Sequence, residues 1–305
     1  MTQIIQIVIP VFIVLALGWF IRQIKLIDED FIKTANKLIF NVCLPVLLFY
    51  KISAADLRSV FSINHLVIMT ITILIMFAIA FIVAKLMKLD SSSGTFAMNT
   101  FRANYAYMGL PVSAYAYGEK GLVIASVLMA FVVPMVNFMS VVALSISMKD
   151  GRSFKPFLKN TLLNPLAIAC LFGILASWYS ISFPVFIERS LAIVSGVTLP
   201  LALFCVGGSM SRERMQGDFF TAGMSSALKL MLMPFFAYLL LKFLGIEFDI
   251  TSKTLVIMLS APTATVNYVL ASEMQGDAPL AGSTIVMSTL LSILSFSFWL
   301  FLLGV

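Results

Sequence analysis

The sequence predicts an all-α polytopic membrane protein with ten transmembrane helices. Of its 305 residues, 61% are hydrophobic and 11% are charged, whereas a soluble domain has roughly 45–50% apolar and about 25% charged residues. A water-soluble globule cannot enclose so much apolar surface. The apolar runs are unbroken and about 20 residues long, the length at which a helix crosses a bilayer, and they lack the short alternating pattern of a membrane β-barrel.

Clusters of charged residues, glycine, proline and serine divide the chain into ten apolar segments with short connections. The first segment lacks a basic amino-terminal region and is too long for a cleaved signal peptide, so we interpret it as the first transmembrane helix. The ten predicted spans cover residues 4–24, 31–50, 63–86, 94–117, 121–147, 161–180, 184–209, 219–242, 253–274 and 279–303.

The basic residues are unequally shared between the two sides of the membrane. The connections after spans 1, 3, 5 and 7, with their flanks, hold twelve lysines and arginines, and those after spans 2, 4, 6 and 8 hold six. The positive-inside bias therefore predicts that the first side is cytoplasmic and that both termini lie outside the inner (plasma) membrane of the cell. This bias accounts for much of the net charge of +6, so the basic balance does not indicate a nucleic-acid partner.

The two halves of the chain share an internal repeat. The motif Leu-Pro-x-x-Leu-Phe occurs around Pro45 in span 2 and around Pro200 in span 7, an offset of 155 residues, and further along an offset of 158 pairs Gly118 with Gly276. Because each half contains five spans, the second copy enters the membrane from the opposite face, as in many secondary transporters. The predicted parts are a first repeat (1–148), a short cytoplasmic linker (149–160) and an inverted second repeat (161–305).

Predicted spans 4 and 9 are each interrupted by a proline among polar residues, Pro111 and Pro262. Proline removes a backbone donor, and Gly109 lowers the cost of unwinding. Unwound backbone at membrane depth is tolerated only inside protein or beside a water-filled cavity, where helix amino termini attract anions and free carbonyls attract cations. The alternative is a pair of kinked helices with ordinary interhelical hydrogen bonds. The candidate substrate-binding residues around the breaks are Asn104, Tyr105, Gly109, Pro111, Pro262, Thr263, Thr265 and Asn267.

Three ionisable residues within or at the end of predicted spans are candidates for charge neutralisation or ion coupling. Lys229 in span 8 either neutralises an anionic substrate or pairs with a carboxylate as the proton switch, unless it snorkels to the cytoplasmic interface. Arg102, before the break of span 4, either holds a carboxylate or forms a salt bridge with a neighbour. Glu273, at the outer end of span 9, is either a solvated helix cap or a proton-binding group.

No metal, cofactor or catalytic site is predicted. The single histidine, His65, has no nearby cluster of cysteines or carboxylates, and the three cysteines fall inside apolar runs. The sequence contains no phosphate-binding loop, which argues against an ATP-driven pump. It also contains no nucleophile paired with a base, which argues against an enzyme.

The run from Asn104 to Pro111 resembles the Asn-x-x-x-Met-Gly-Ile/Leu-Pro segment of the auxin efflux carrier family, which includes plant PIN-type carriers and bacterial malonate or malate transporters. The similarity is to the short bacterial type, because only residues 149–159 stand where the plant carriers have a long hydrophilic loop. Further matches along nearly the whole chain are Leu44-Pro45 with Phe49, Asn164-Pro165 at the start of span 6, Lys229 five residues before Pro234, and Ala261-Pro262 with Ala271 and Glu273.

The resemblance implies two inverted five-helix repeats, with broken helices 4 and 9 crossing beside the substrate site. It also implies a scaffold of helices 1, 2, 6 and 7, with breaks at Pro45 and Pro200, a transport domain of helices 3–5 and 8–10, and a homodimer through the scaffold. Asn164 joins the candidate substrate-binding residues on this ground. The sequence departs from the plant carriers at Asn267, where they have proline, so the plant substrate does not carry over.

The expected function is a secondary active transporter of small organic anions such as mono- or dicarboxylates, coupled to protons and working by alternating access. Carbonyl, Asn and Thr oxygens at a helix crossing also suit sodium. A sodium-coupled symporter of the bile-acid-carrier type is therefore an alternative, although no intramembrane cluster of Asp or Glu would help to hold the ion. A second alternative is a ligand sensor on the transporter fold. The expected partners are a small organic anion, a proton or sodium ion, and the lipid bilayer.

Overall fold

The computed structural model describes residues 2–56, 61–147, 164–211 and 214–305, and these residues are helical without a β-strand. The predicted linker 149–160 and the start of predicted span 6 lie outside the described residues. The helices are α1 (Thr2–Gln23), α2 (Glu29–Ser53), α3 (Ile63–Leu86), α4 (Ser93–Phe101), α5 (Tyr105–Ile146), α6 (Pro165–Trp178), α7 (Val185–Gly208), α8 (Phe219–Phe243), α9 (Ile250–Ser260), α10 (Val266–Glu273) and α11 (Ala278–Leu302).

Seven of the described helices are long and apolar enough to cross a membrane: α1, α2, α3, α5, α7, α8 and α11. Helices α6 and α9 are apolar but shorter. This is the architecture that a polytopic all-α membrane protein requires. Predicted span 4 is divided between α4 and the start of α5, and span 9 is divided between α9 and α10. The count of ten crossings and the inverted relation of the two halves stay predictions.

Four of the scarce acidic residues begin helices. Asp28, Asp218, Asp249 and Asp277 precede α2, α8, α9 and α11, and each carboxylate accepts the backbone N–H of the third residue beyond it at 2.7 to 2.9 Å. Each bond satisfies a donor that the helix itself cannot, and the negative charge suits the positive end of the helix dipole. The hydrogen bonds from Thr221 lower the pKa of Asp218 from its ordinary value. The acidic charge therefore fixes helix ends outside the apolar runs.

Helix α5 is a run of 42 residues, which would be roughly 63 Å long if it were straight. This length is about twice the hydrocarbon thickness of a bilayer. Gly118 interrupts the run with φ 63° and ψ −151°, a region that glycine adopts without steric cost. The interruption falls between predicted spans 4 and 5, so α5 consists of two helical parts that meet at Gly118.

Prolines inside α2, α5 and α8 each follow a turn of π-helix by two residues. A proline has no N–H to donate and clashes with the carbonyl of the fourth residue before it, and the wider π-turn relieves that conflict. The helix therefore continues through the proline. The π-turns and their prolines are Ile39–Cys43 with Pro45, Tyr105–Gly109 with Pro111, and Leu228–Leu232 with Pro234.

The helices form two sets, with the most extensive contacts inside each set. In the first helix set (α1, α2, α6, α7), α2 packs on α6 and α7, and α1 packs on α7. A Cβ at Gly18 would collide with the backbone of Phe204, so this glycine brings α1 and α7 into backbone contact. In the second helix set (α3, α4, α5, α8, α9, α10, α11), α4 packs on α3 and α5, and α8 packs on α9 and α11. Their roles as scaffold and transport domain stay predictions.

Candidate substrate site

Two unwound segments cross each other, one between α4 and α5 and the other between α9 and α10. The N–H of Asn104 donates to the carbonyl oxygen of Pro262 (2.7 Å), and the N–H of Ala264 donates to that of Arg102 (3.1 Å). The residues between these bonded positions, Ala103 and Thr263, form an antiparallel pair. A local two-fold rotation exchanges the two bonds and relates positions that are 160 residues apart, close to the offset of 158 in the sequence repeat. The crossing therefore joins positions close to those that the sequence repeat pairs.

The interruption of predicted span 4 lies at residues 102–104, so its assignment to Pro111 was wrong. Pro111 is buried and helical, because the preceding π-turn accommodates it. Gly109 does not mark unwound backbone either: a Cβ there would meet Met258 Sδ, so this glycine lets α5 approach α9. The interruption of span 9 does surround its proline, Pro262, between the end of α9 and the start of α10.

Side chains satisfy the carboxyl-terminal ends of α4 and α9 at the crossing. Thr263 Oγ1 donates to the carbonyl of Asn99 (2.9 Å), and Asn267 Nδ2 donates to Asn99 Oδ1 (3.1 Å). Lys229 Nζ donates to the carbonyl of Leu259 (2.7 Å). Because Lys229 is fully buried, the snorkelling alternative was wrong. A cation at this position also suits the negative end of the α9 dipole.

The amino-terminal ends of α5 and α10 line a cavity of about 560 Å³, which we call the first cavity. Asn104 Oδ1 accepts the N–H of Tyr107 (3.3 Å) and so caps α5. Thr265 is the amino-terminal cap residue of α10. Asn104 Nδ2 and the Tyr105 hydroxyl are buried and have no hydrogen-bond partner within the described parts of the chain. Two positive helix ends and two free donors favour an anionic ligand.

The first cavity lies between the two helix sets. Phe40 of α2, Leu166 of α6 and Cys205 of α7 form one wall, and residues of α5 and α10 form the other. Asn164 also lines it and caps α6, because its Oδ1 accepts the N–H of Leu166 (2.9 Å). The candidate residues that line the cavity are Arg102, Asn104, Tyr105, Asn164, Thr265 and Glu273.

Arg102 places a positive charge in the cavity wall. Its side chain is buried, Nη1 donates to Ser140 Oγ (3.0 Å) and Nη2 donates to Asn137 Oδ1 (2.5 Å). Both partners are neutral, and across residues 2–56, 61–147, 164–211 and 214–305 no carboxylate pairs with Arg102. A guanidinium has five N–H donors, so three remain for a ligand. A buried charge without a counter-ion is costly, and an anionic ligand removes that cost.

Charged residues mark where the first cavity reaches the surface. Glu29, Lys33 and Lys37 of α2 are exposed and line it, together with Arg214 and Glu273. Glu273 therefore lies on the same side as the basic flank of α2, whereas the sequence predicted it at the outer end of span 9. Which side faces outward stays a prediction. Burial lowers the pKa of Arg214 from its ordinary value, and the nearby Glu29 carboxylate opposes that shift.

The other candidate residues lie away from the first cavity. Gly109, Pro111, Pro262, Thr263, Asn267 and Lys229 belong to the crossing and its supports. Helices α2 and α7 continue through Pro45 and Pro200, so the predicted scaffold breaks are absent. Pro200 lines a second, smaller cavity.

Three polar residues of this region were missed in the sequence. Asn137 and Ser140 on α5 bind Arg102, and Asn99 on α4 accepts hydrogen bonds from Thr263 in the span 9 interruption and from Asn267 on α10. Asn137 and Asn99 were detectable as amides inside predicted spans 5 and 4, which is the signal that picked out Asn104. Serine in a membrane helix usually bonds its own backbone, so Ser140 gave no such signal.

Comparison with known proteins agrees with this architecture. The chain matches the family described as membrane transport protein over residues 3–300. It is 28% identical to an "Uncharacterized transporter" of Methanothermobacter thermautotrophicus over 96% of each chain. It is 23% identical to the "Putative malonate transporter" of Rhizobium meliloti, over 99% of this chain and 97% of the relative. The chain therefore belongs to the membrane transport protein family, the auxin efflux carrier family that its sequence motifs resemble.

Proposed function

We propose that the protein is a secondary active transporter of small organic anions that binds the substrate carboxylate at Arg102. The observation that supports this is a buried guanidinium, 8% exposed, which lines a cavity and has only neutral partners, Ser140 and Asn137, in the described structure. Arginine binds carboxylates through two parallel N–H bonds, and enough of its donors remain free for that geometry.

Neighbouring donors extend the proposed anion site. Asn104 and Tyr105 line the same cavity, and Asn104 Nδ2 and the Tyr105 hydroxyl are buried without an acceptor in the described parts of the chain. An unsatisfied buried donor costs about 1–3 kcal/mol, which a substrate oxygen would recover. The amino-terminal end of α10, beginning at Thr265, adds a positive dipole end on the same wall.

The rest of the first cavity suits a short carbon skeleton. Val133, Val136, Leu166, Val206 and Val269 supply apolar wall. A volume of about 560 Å³ accommodates a small mono- or dicarboxylate with water. The similarity to a relative named as a malonate transporter supports the same substrate class.

The position of the cavity between the two helix sets supports alternating access. If one set moves against the other, the site is exposed to one side of the membrane at a time. The exposed charged residues at the rim belong to the side with the excess of lysine and arginine, which we propose is the cytoplasm. The conformation described here is then the inward-open one.

Lys229 is the residue that we propose for proton coupling. Its ammonium is fully buried and donates to one carbonyl, that of Leu259, beside the crossing. No carboxylate pairs with it among the described residues. The free energy of such a charge depends strongly on nearby charges, so binding of an anion at the crossing changes how firmly Lys229 holds its proton.

Sodium coupling is the second candidate, because one acceptor at the crossing is unused. Asn267 Oδ1 is buried and has no donor in the described structure. Carbonyl and amide oxygens are suitable ligands for a hard cation. A sodium ion bound there would draw on the same carboxyl-terminal end of α4 that Thr263 and Asn267 now bond.

Uptake into proteoliposomes tests the proposal. Labelled malonate, malate and indole-acetate are supplied with a proton gradient, with a sodium gradient, or with neither. We expect uptake of at least one carboxylate that a proton gradient accelerates and a protonophore abolishes. Uptake that follows only the sodium gradient would favour the second candidate. Absence of flux for every carboxylate, despite thermal stabilisation by one of them, would favour the ligand sensor.

A further inference from the structure

A second cavity, of about 300 Å³, lies between the same two helix sets as the first. On α2 the first cavity touches residues 29–41, whereas the second touches Leu47 and Lys51. On α7 the order is reversed, because residues 195–203 line the second cavity and residues 205–209 line the first. The two cavities therefore lie at opposite ends of the same helices, and the second belongs to the opposite side of the membrane.

An unpaired hydroxyl points to a ligand in the second cavity. Ser195 lines it and is 6% exposed, and its hydroxyl makes no hydrogen bond within the described parts of the chain. Other hydroxyls of α7 are satisfied: Ser190 donates to the carbonyl of Phe186, and Thr198 donates to that of Cys43. The hydroxyl of Ser195 is therefore free, among the described residues, to bond whatever occupies the cavity.

Lys51 brings a cation into the same cavity. Its Nζ lies 2.6 Å from Glu119 Oε1, and its side chain is 16% exposed whereas that of Glu119 is 68% exposed. Glu119 follows the left-handed Gly118 that interrupts α5. An exposed carboxylate loses little when it returns to water, so another carboxylate can replace it on the ammonium.

The pair also joins the two helix sets. Lys51 is on α2 of the first set, and Glu119 is on α5 of the second. The other described ion pairs, among them Arg22–Glu29 and His65–Asp249, each lie inside one set. A ligand that takes the place of Glu119 therefore removes an ionic link between the sets.

We propose that Lys51 and Ser195 form a second anion site, which receives small carboxylates from the side opposite the first cavity. Glu119 acts as a built-in competitor that occupies Lys51 until a ligand carboxylate replaces it. Leu47, Leu199 and Leu203 supply apolar wall, so the site takes a compact carboxylate with a short carbon chain. That the ligand of this site is also the transported substrate rests on the proposed function, whereas the anion site itself does not.

Charge-selective labelling of a cysteine at position 195 tests the site without transport. The three native cysteines are replaced by alanine and Ser195→Cys is added. We compare the rates at which this cysteine reacts with an anionic thiosulfonate (sulfonatoethyl) and with a cationic one (trimethylammonioethyl). We expect Lys51→Gln to lower the anion-to-cation rate ratio about 16-fold, because one unit charge about 5 Å away in water changes the rate of each reagent about fourfold, in opposite directions. Glu119→Gln should raise the ratio, and Lys120→Gln, at the exposed neighbouring position, should leave it unchanged.

The decisive result is that Lys51→Gln and Glu119→Gln change the anion-to-cation rate ratio in opposite directions. If the pair only closed the cavity, Lys51→Gln and Glu119→Gln would both open it and change the ratio in the same direction. That result, or a ratio that neither variant changes, would overturn the proposal. Malonate should slow labelling when Lys51 is present and have no effect in the Lys51→Gln background. A charge-dependent ratio without uptake of any carboxylate would refute the proposed function and leave the anion site standing.

Discussion

Arg102→Gln should weaken substrate uptake about 100-fold without unfolding the protein. The guanidinium is buried, with two of its donors bound to Ser140 and Asn137. A carboxylate on the remaining donors would make a charge-assisted bond, and losing the charged partner costs about 1.5–3 kcal/mol. At the upper end this is about a 100-fold rise in the half-saturation concentration, since every 1.4 kcal/mol is tenfold. Glutamine can still reach neutral partners, so the fold should survive.

The assay is initial uptake of labelled malonate, or of whichever carboxylate the wild type transports, as a function of concentration. Arg102→Lys keeps the charge but loses the planar fork of donors. Its half-saturation concentration should therefore fall between those of the wild type and Arg102→Gln. Arg189→Gln removes an exposed arginine outside the first cavity and should behave as the wild type. Thermal unfolding of the purified variants controls for folding. A folded Arg102→Gln protein with wild-type half-saturation would refute the assignment of the anion site.

Three further outcomes are expected. Asn137→Ala should raise the half-saturation concentration less than Arg102→Gln does, because it removes a positioning bond and keeps the charge; an equal effect would mean that Asn137 contacts the substrate itself. Lys229→Met should leave downhill exchange measurable but abolish its dependence on a pH gradient, and a surviving dependence would place the coupling proton elsewhere. Gly18→Leu should lower the melting temperature, because its side chain would displace the α7 backbone at a cost of about 1–3 kcal/mol, whereas Gly196→Ala, with open space at its Cβ, should not.

Much of the helical layout could be predicted from the sequence. The length of the apolar runs and the clusters of charge and glycine gave segments that coincide with described helices, including 63–86 to the residue. The prediction of helices succeeds because backbone groups in hydrocarbon must form hydrogen bonds within their own segment. An apolar run of that length therefore folds as a helix. The sequence also located Gly118 at the boundary between spans 4 and 5.

The position of the span 4 break could not be predicted in the same way. Pro111 is the expected breaker, yet the chain unwinds at residues 102–104 and stays helical at the proline. The π-turn relieves the steric conflict locally, whereas the unwound segment is stabilised by hydrogen bonds with residues 262–264, about 160 positions away. A local signal contains no information about a partner so distant in the chain.

The sequence by itself determined that the protein is an all-helical membrane protein, and it identified Arg102, Asn104 and Thr265 as functional candidates. Only the tertiary structure decided which candidates share a cavity and which support it. Thr263, Asn267 and Lys229 are polar for the same reason as the cavity residues, since each must bond something at membrane depth. Whether that partner is a helix end or a substrate depends on how the two interrupted helices cross, and the crossing is set by contacts between distant parts of the chain.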